Sequence, residues 1–344
     1  MAKKRAKKHH ILPRKYLERF SKDNRIWVLD FETNKQNNLR LEEAAVIKDF
    51  YTVKTINSQE DDLIEQKFLA GIEDVCDPAI TEVVNKHSFS QGKVWSKLAN
   101  YIALTYFRTP LFRQIFLETY EQFSNKMADD LIENEKSYNE MMKGFKEQYP
   151  DANILTYEQA QKARDKLEIS VDIPRTFYIK NMMVYASNLV PIIHKMTPNL
   201  FCAPKYFDSK FVTGDVPIIP IQRKPSASPT WINDKNCDLY FPLSSYCCLV
   251  LNYDSLPKSN DVSSKRIAWI NHLVACNCTR IILSEEESFT WMRENRTISS
   301  DPNELLDAWG EEKKTIIKGA YIDKKRPPRC RNDWGHLRST DTEN

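Results

Sequence analysis

The rhythm of apolar and polar positions changes several times along the chain. After a polar opening, Leu12, Tyr16, Leu17 and Phe20 recur at helical spacing within Ile11–Phe20, and Pro13 falls where a first turn tolerates it. Arg25–Asp30 (Arg-Ile-Trp-Val-Leu-Asp) predicts a strand, and Phe31–Lys35 the turn that follows. Phe50–Val53 predicts a second short strand or a packed loop. From Ser58 the rhythm becomes helical. Ser58 and Asp61 suggest a cap, and Leu63, Phe68, Ile72 and Val75 follow near a 3.6 period. A second helix is predicted over Lys93–Met127, kinked after Arg108 and Thr109 because Pro110 supplies no backbone donor. The charged stretch 129–151 reads as a solvated helix, with further helices over 156–169 and 174–197.

Near Phe201 the pattern shortens into β-like runs at Phe211–Thr213, Ile218–Ile221, Asp238–Phe241, Cys248–Leu251 and Arg280–Leu283. A helix over Ser263–Cys278 separates the last two. The predicted fold class is α+β, with a predominantly helical middle packed against a small sheet built from N-terminal and C-terminal strands. The expected organisation is a basic arm (1–10), a single globular domain (11–290) and a C-terminal extension (291–344). The domain divides into a helical part (58–197) and a β-rich part (201–285). No internal repeat of solenoid period is visible.

Composition narrows the functional classes. The 344 residues are 41% hydrophobic and 28% charged, enough apolar material for a sizeable core. Only seven glycines are present, and neither GxGxxG nor GxxxxGK[ST] occurs, which removes the dinucleotide and P-loop readings. No apolar run approaches the about 18 residues a spanning helix needs, and no apolar segment follows the basic opening. No membrane partner is expected, therefore, and a reducing, cytoplasmic setting is. The eight cysteines lie largely in apolar runs, where a thiol serves as a small hydrophobe. Net charge is only +3, but Lys3, Lys4, Arg5, Lys7 and Lys8 are concentrated at one end, extended by Arg14 and Lys15. Such a run is either a solvated tail or a surface for nucleic acid.

Several positions carry candidate chemistry, and each has a structural reading beside it. His9 and His10 precede a helix start and could ligate a metal, act as a general base or hold phosphate; they could also only hydrogen-bond. Glu73 sits among Leu69, Ile72 and Val75, and Arg108 interrupts an apolar helix face. The two are natural partners, predicted to meet in a salt bridge across the first two long helices. Arg108 could equally bind phosphate. Asp215, after Thr213 and Gly214, is presented at a strand end, where carboxylates hold metals or cap turns. His272, Cys276 and Cys278 invite a zinc reading, but their spacing is not that of a finger, and helical periodicity places His272 and Cys276 with Trp269 in a core.

An ordered set of segments is more telling than any one motif. It runs through Lys8–Ser21 (Lys-His-His-Ile-Leu-Pro-Arg-Lys-Tyr-Leu-Glu-Arg-Phe-Ser), Ile26–Asp30, Phe50–Thr52, Gly71–Glu73 and Phe107–Pro110. It continues with Val212–Pro217 (Val-Thr-Gly-Asp-Val-Pro), Phe241–Ser244 and Asn271. This set resembles the bacterial family catalogued as domain of unknown function 4238, over roughly residues 8–285. Gly214 departs from the Ser that the family often has before the Asp. The resemblance implies recurring polar positions at His10, Glu73, Arg108, Asp215 and Asn271. Drawn from separate segments, these could form a catalytic site.

Two functions are consistent with this reading. One is a metal-dependent nuclease or phosphodiesterase, a possible effector of antiviral defence or toxicity. In it, His10, Glu73 and Asp215 would hold Mg2+ or Mn2+, or supply the general base, and Arg108 would stabilise phosphate charge. The other is a non-catalytic module that binds nucleic acid or regulates. There, Glu73–Arg108 is an internal ion pair and Asp215 a turn cap. Convergence of the side chains on one cleft separates the two.

Overall fold

The computed structural model describes residues 8–48, 50, 53–54, 60–61, 69–88, 92–165, 173–204, 206–223, 232–254 and 261–309. The fold is α+β, and the chain divides into two units, residues 1–112 with 179–344, and residues 113–178.

In the larger unit, eight strands are gathered into two four-stranded antiparallel sheets. The first has the order β3 (Lys35–Arg40), β2 (Arg25–Asp30), β12 (Ile281–Ser284), β8 (Thr213–Gly214), so the N-terminal hairpin pairs with strands from the far end of the chain. Its register sets Ile281 opposite Asp30 and Ile282 opposite Gly214. The second has the order β7 (Thr197–Cys202), β11 (Cys247–Asn252), β10 (Cys237–Ser244), β9 (Ile219–Gln222). Every residue of β10 and β11 is buried, which explains their continuous apolar runs: both faces of those strands are covered.

One cover is α8 (Ser264–Asn277), buried without interruption from Ile267 to Ala275. A helix buried on all sides belongs inside a core, where its polar side chains need partners. Its side chains share a single cluster with Leu29, Phe31, Ile282, Ile219, Tyr240 and Val250, so α8 ties the two sheets together. Trp291, Leu305 and Trp309, from beyond residue 290, join the same cluster. Gly214 is required by close approach. A Cβ there would lie 3.0 Å from the Ile281 carbonyl oxygen and 3.0 Å from Cys278 Cβ.

The other cover comes from α2 (Ala70–Lys86), which packs on β10, and from α3 (Lys93–Phe107), whose Tyr101 stacks on Phe241 at 6.2 Å. The inner face of α2 is Cys76, Ala79, Ile80 and Val83. Val75, expected to face inward, is 57% exposed, so the expected phase is off by one position. The expected Ser58 cap, Leu63 and Phe68 lie outside the described residues. The long second helix is divided where Pro110 predicted a kink. Here α3 ends at Phe107, and α4 (Pro110–Ile132) starts after Arg108 and Thr109.

The N-terminal segment is a short strand, β1 (Lys8–His10), paired with β4 (Val46–Lys48), followed by α1 (Arg14–Glu18); β5 (Val53–Lys54) and β6 (Glu60–Asp61) pair with each other. Leu12, Tyr16, Leu17 and Phe20 are fully buried, as their spacing predicted. The Tyr16 hydroxyl lies 2.7 Å from both Thr213 Oγ1 and the Pro242 carbonyl, joining three of the segments that carry the family resemblance.

The smaller unit comprises most of α4, α5 (Glu135–Gln148), α6 (Tyr157–Asp165) and the first turn of α7 (Arg175–His194). Asn134 separates α4 from α5, and its side chain caps α5 by accepting from Ser137 N at 3.1 Å. Arg164 grips Asp129 through two nitrogens, and the Tyr157 hydroxyl donates to the Ile132 carbonyl at 2.7 Å. Among the described residues no helix is long and apolar enough to cross a membrane.

Candidate active site

His10, Glu73 and Arg108 converge. Arg108 follows directly on α3 and is only 1% exposed, the largest fully buried side chain described. Its Nη1 is ion-paired with Glu73 Oε1 from the first turn of α2, as predicted across these helices. Its Nη2 donates to the His10 carbonyl at 3.1 Å. One buried guanidinium thus fixes two helices and the end of β1 together. A cation this deep requires a carboxylate and a carbonyl around it.

The His10 ring completes the cluster. Its Nε2 lies 3.3 Å from the Leu41 carbonyl oxygen, which can only accept. The proton is therefore on Nε2, and Nδ1 carries the lone pair. Burial lowers the pKa of His10 below its usual value. The Leu41 hydrogen bond and Glu73 oppose that shift, while Arg14 and Arg108 reinforce it. At neutral pH the ring is an uncharged base with its tautomer fixed by a backbone carbonyl, the usual preparation of a histidine for proton transfer or ligation.

Tyr101, not among the candidates named from the sequence, is buried close enough to this pair to feel both charges. Burial raises its pKa, the charge of Glu73 raises it further and Arg108 lowers it, so the hydroxyl stays protonated beside the pair. Its signal was helical spacing, since Tyr101 stands two turns before Arg108 on one face of α3.

The remaining candidates are engaged elsewhere. Asp215, 2% exposed, accepts from Thr279 N and Arg280 N, each at 2.8 Å, and from the Thr279 hydroxyl. Its carboxylate thus caps the turn between α8 and β12. Asn271 is fully buried: Oδ1 accepts from Val212 N at 3.0 Å, and Nδ2 donates to the carbonyls of Lys210 (2.8 Å) and Thr290 (2.7 Å). It braces three segments of backbone. His10, Glu73 and Asp215 do not form a ligand set. Among the described residues the one group of three potential metal ligands within 4.8 Å of one another lies elsewhere in the unit. Arg108 also takes a Glu73 oxygen and sets a positive charge beside it. These residues do not fit the expected Mg2+ or Mn2+ centre.

His272 and Cys276 meet at 3.4 Å, whereas Cys278 turns away to the Ala275 carbonyl at 3.3 Å. Of the basic positions, Lys3, Lys4, Arg5 and Lys7 lie outside the described residues, and Lys8 pairs with Lys48 through β1. Arg14 and Lys15 are about half exposed. Arg14 pairs with Glu42 at 3.1 Å and Glu18 at 3.4 Å, and Lys15 with Asp74 at 2.9 Å.

No curated protein and no solved structure matches the chain. A family model does, described as Protein of unknown function (DUF4238), and it spans residues 8–288, which include His10, Glu73, Arg108, Asp215 and Asn271. The chain belongs to this family.

Proposed function

We propose that this protein is a phosphodiesterase acting on nucleic acid, with His10 as its general base and Arg14 as its phosphate contact. The observation that carries this reading is the state of His10. Its Nε2–H is tied to Leu41, its Nδ1 bears the lone pair, and its pKa is lowered, four residues from a half-exposed guanidinium. In the proposed reaction, Nδ1 takes a proton from water as the water oxygen attacks phosphorus. The P–O bond to the leaving nucleotide oxygen then breaks, and that oxygen is protonated from solvent. Arg14 can exchange its exposed carboxylate partners for a phosphate, since exposed ion pairs are each worth about 0–1 kcal/mol. Arg108 is too buried to touch substrate and acts as a positioning residue through the His10 carbonyl. No step depends on a metal ion. Nucleic-acid affinity is assigned to the basic run Lys3–Lys8, and a role in phage defence or as a toxin effector would suit such a nuclease.

The test is cleavage of labelled single-stranded DNA, duplex DNA and RNA by the full chain, in EDTA and with added Mg2+ or Mn2+. His10→Ala is expected to lower the rate by about 100-fold or more while leaving the melting temperature nearly unchanged. For the wild-type chain, kcat/KM should fall on the acid side as His10 becomes protonated, at a pH below the ordinary histidine value. Absence of cleavage under every condition would overturn the reading. That result would favour a non-catalytic nucleic-acid-binding module, for which the full structural engagement of Asp215 and Asn271 already speaks.

A further inference from the structure

A second cluster, independent of the His10 reading, lies where α2 ends against β7 and β11. Cys202, the last residue of β7, and Cys247, the first of β11, are register partners across the sheet, with sulfurs 3.8 Å apart. Both are buried free thiols. His87, at the C-terminus of α2, completes a group whose donor atoms all lie within 4.8 Å of one another. Nothing in the spacing of these residues along the chain brings them together; the fold does.

We propose that His87, Cys202 and Cys247 form a Zn2+ site with one open coordination position.

Three features support it. The first is the donor set. Two thiols and one imidazole are soft-to-borderline ligands that select zinc over Mg2+ or Ca2+, and three protein ligands leave a fourth position for water or another ligand. The second is dimension. Zn–S bonds of about 2.3 Å at a tetrahedral angle place two sulfurs about 3.8 Å apart. That is the separation found, whereas a disulfide would require the sulfurs to close to about 2.05 Å. The third is backbone conformation. His87 adopts φ 50°, ψ 34° at the end of α2, the left-handed position where helices usually place glycine. Histidine there carries a conformational cost, which is offset if the ring is needed at that point. The ring is only partly buried, so an ion could enter from its side. Binding would release protons from the two thiols as they become thiolates, so uptake should strengthen as pH rises.

The experiment uses the full chain, reduced and freed of metal, and titrates it with Zn2+ against a chromophoric competitor. A parallel titration with Co2+ is followed by absorbance. We expect binding of about one Zn2+ per chain, a thiolate-to-Co2+ charge-transfer band, and a melting temperature that rises with Zn2+. Cys202→Ser and Cys247→Ser should each lose the charge-transfer intensity of one sulfur and weaken zinc binding by at least about 10-fold. His87→Gly separates ligation from folding. It relieves the left-handed conformation, so the metal-free protein should melt no lower than wild type and yet lose the zinc-dependent rise. Cys276→Ser should bind as wild type does. The site is disproved if the reduced wild-type chain takes up no zinc, or if His87→Gly and Cys247→Ser both bind it unchanged. A Cys202–Cys247 disulfide in a chain that binds no zinc once reduced would also disprove it.

Discussion

Removing the Glu73 carboxylate should destabilise the larger unit by about 3 kcal/mol. Arg108 is 1% exposed and Glu73 19%, so in Glu73→Ala the guanidinium stays buried with its charge uncompensated. Breaking such a pair from one side costs about 3–5 kcal/mol. The lower figure applies because the His10 carbonyl still accepts from Nη2, and Glu73 lies near enough to the surface for water to replace it. Glu73→Gln keeps an acceptor and removes the charge, so its cost should fall to about 1.5 kcal/mol, within the range for a hydrogen bond to a charged group. Arg108→Met removes the cation itself. Combined with Glu73→Ala, it should give a double variant more stable than the sum of the single losses predicts, by about 1–3 kcal/mol.

Urea unfolding followed by tryptophan fluorescence is the appropriate assay. The seven tryptophans all lie outside residues 113–178, so the signal reports on the larger unit alone. A cost below about 1 kcal/mol for Glu73→Ala, with the two single losses simply additive, is the behaviour of an exposed pair and would refute the buried-pair account.

Other consequences can be measured separately. Burial pushes His272 down to about 4, so the unfolded chain, with an ordinary histidine near 6.5, takes up this proton first. Stability is whole above about pH 6.5 and falls as pH drops toward 4, by about 3 kcal/mol in total from this residue. A wild-type-like slope in His272→Gln across that window would refute the attribution. Asp215→Ala should cost about 2–3 kcal/mol, because it strands the Thr279 and Arg280 backbone donors, and it should leave any activity per folded molecule unchanged. Lost activity at wild-type stability would return Asp215 to the catalytic machinery. Deleting residues 2–8 removes five cationic side chains and should flatten the salt dependence of duplex binding by up to about 4.5 log units per log unit of salt. An unchanged slope would exclude the arm.

The elements legible in the sequence were those whose burial has one dominant cause. Leu12, Tyr16, Leu17 and Phe20 face one core, so their spacing alone revealed the N-terminal helical face. The apolar runs in β10 and β11 were equally plain, because both faces of the sheet are covered. β3 was not, since Lys-Gln-Asn-Asn-Leu-Arg is the polar edge of its sheet and is held by the register of β2. Val75 shows how little margin the helical phase leaves. One position of rotation exposes it and turns Cys76 inward. The Glu73–Arg108 pair could be read because each charge interrupts an apolar run and must find the other. His87, Cys202 and Cys247 had no such signal, being brought together only by the register of β7 with β11 and the end of α2.

The polar positions carried over by the family resemblance are best distinguished by how fully their hydrogen-bonding capacity is used. Asn271 directs its oxygen to one backbone donor and its amide hydrogens to two carbonyls. Such a side chain has no donor left for a substrate and serves first the backbone it holds. Asp215 accepts three hydrogen bonds at a turn, and Arg108 divides its guanidinium between a carboxylate and a carbonyl. Each carries a charge or dipole that is costly to bury and is compensated locally, so each acts first on the fold. His10 differs in kind. Its backbone carbonyl is used by Arg108 and its Nε2–H by Leu41, and these two bonds orient Nδ1 without occupying it. If His10 is the general base proposed above, the other polar positions carried over by the resemblance build its mount, and it alone does the chemistry. On that view, substitutions at Asn271 and Asp215 should reach activity through stability, those at Arg108 through stability and the placement of His10, and those at His10 directly.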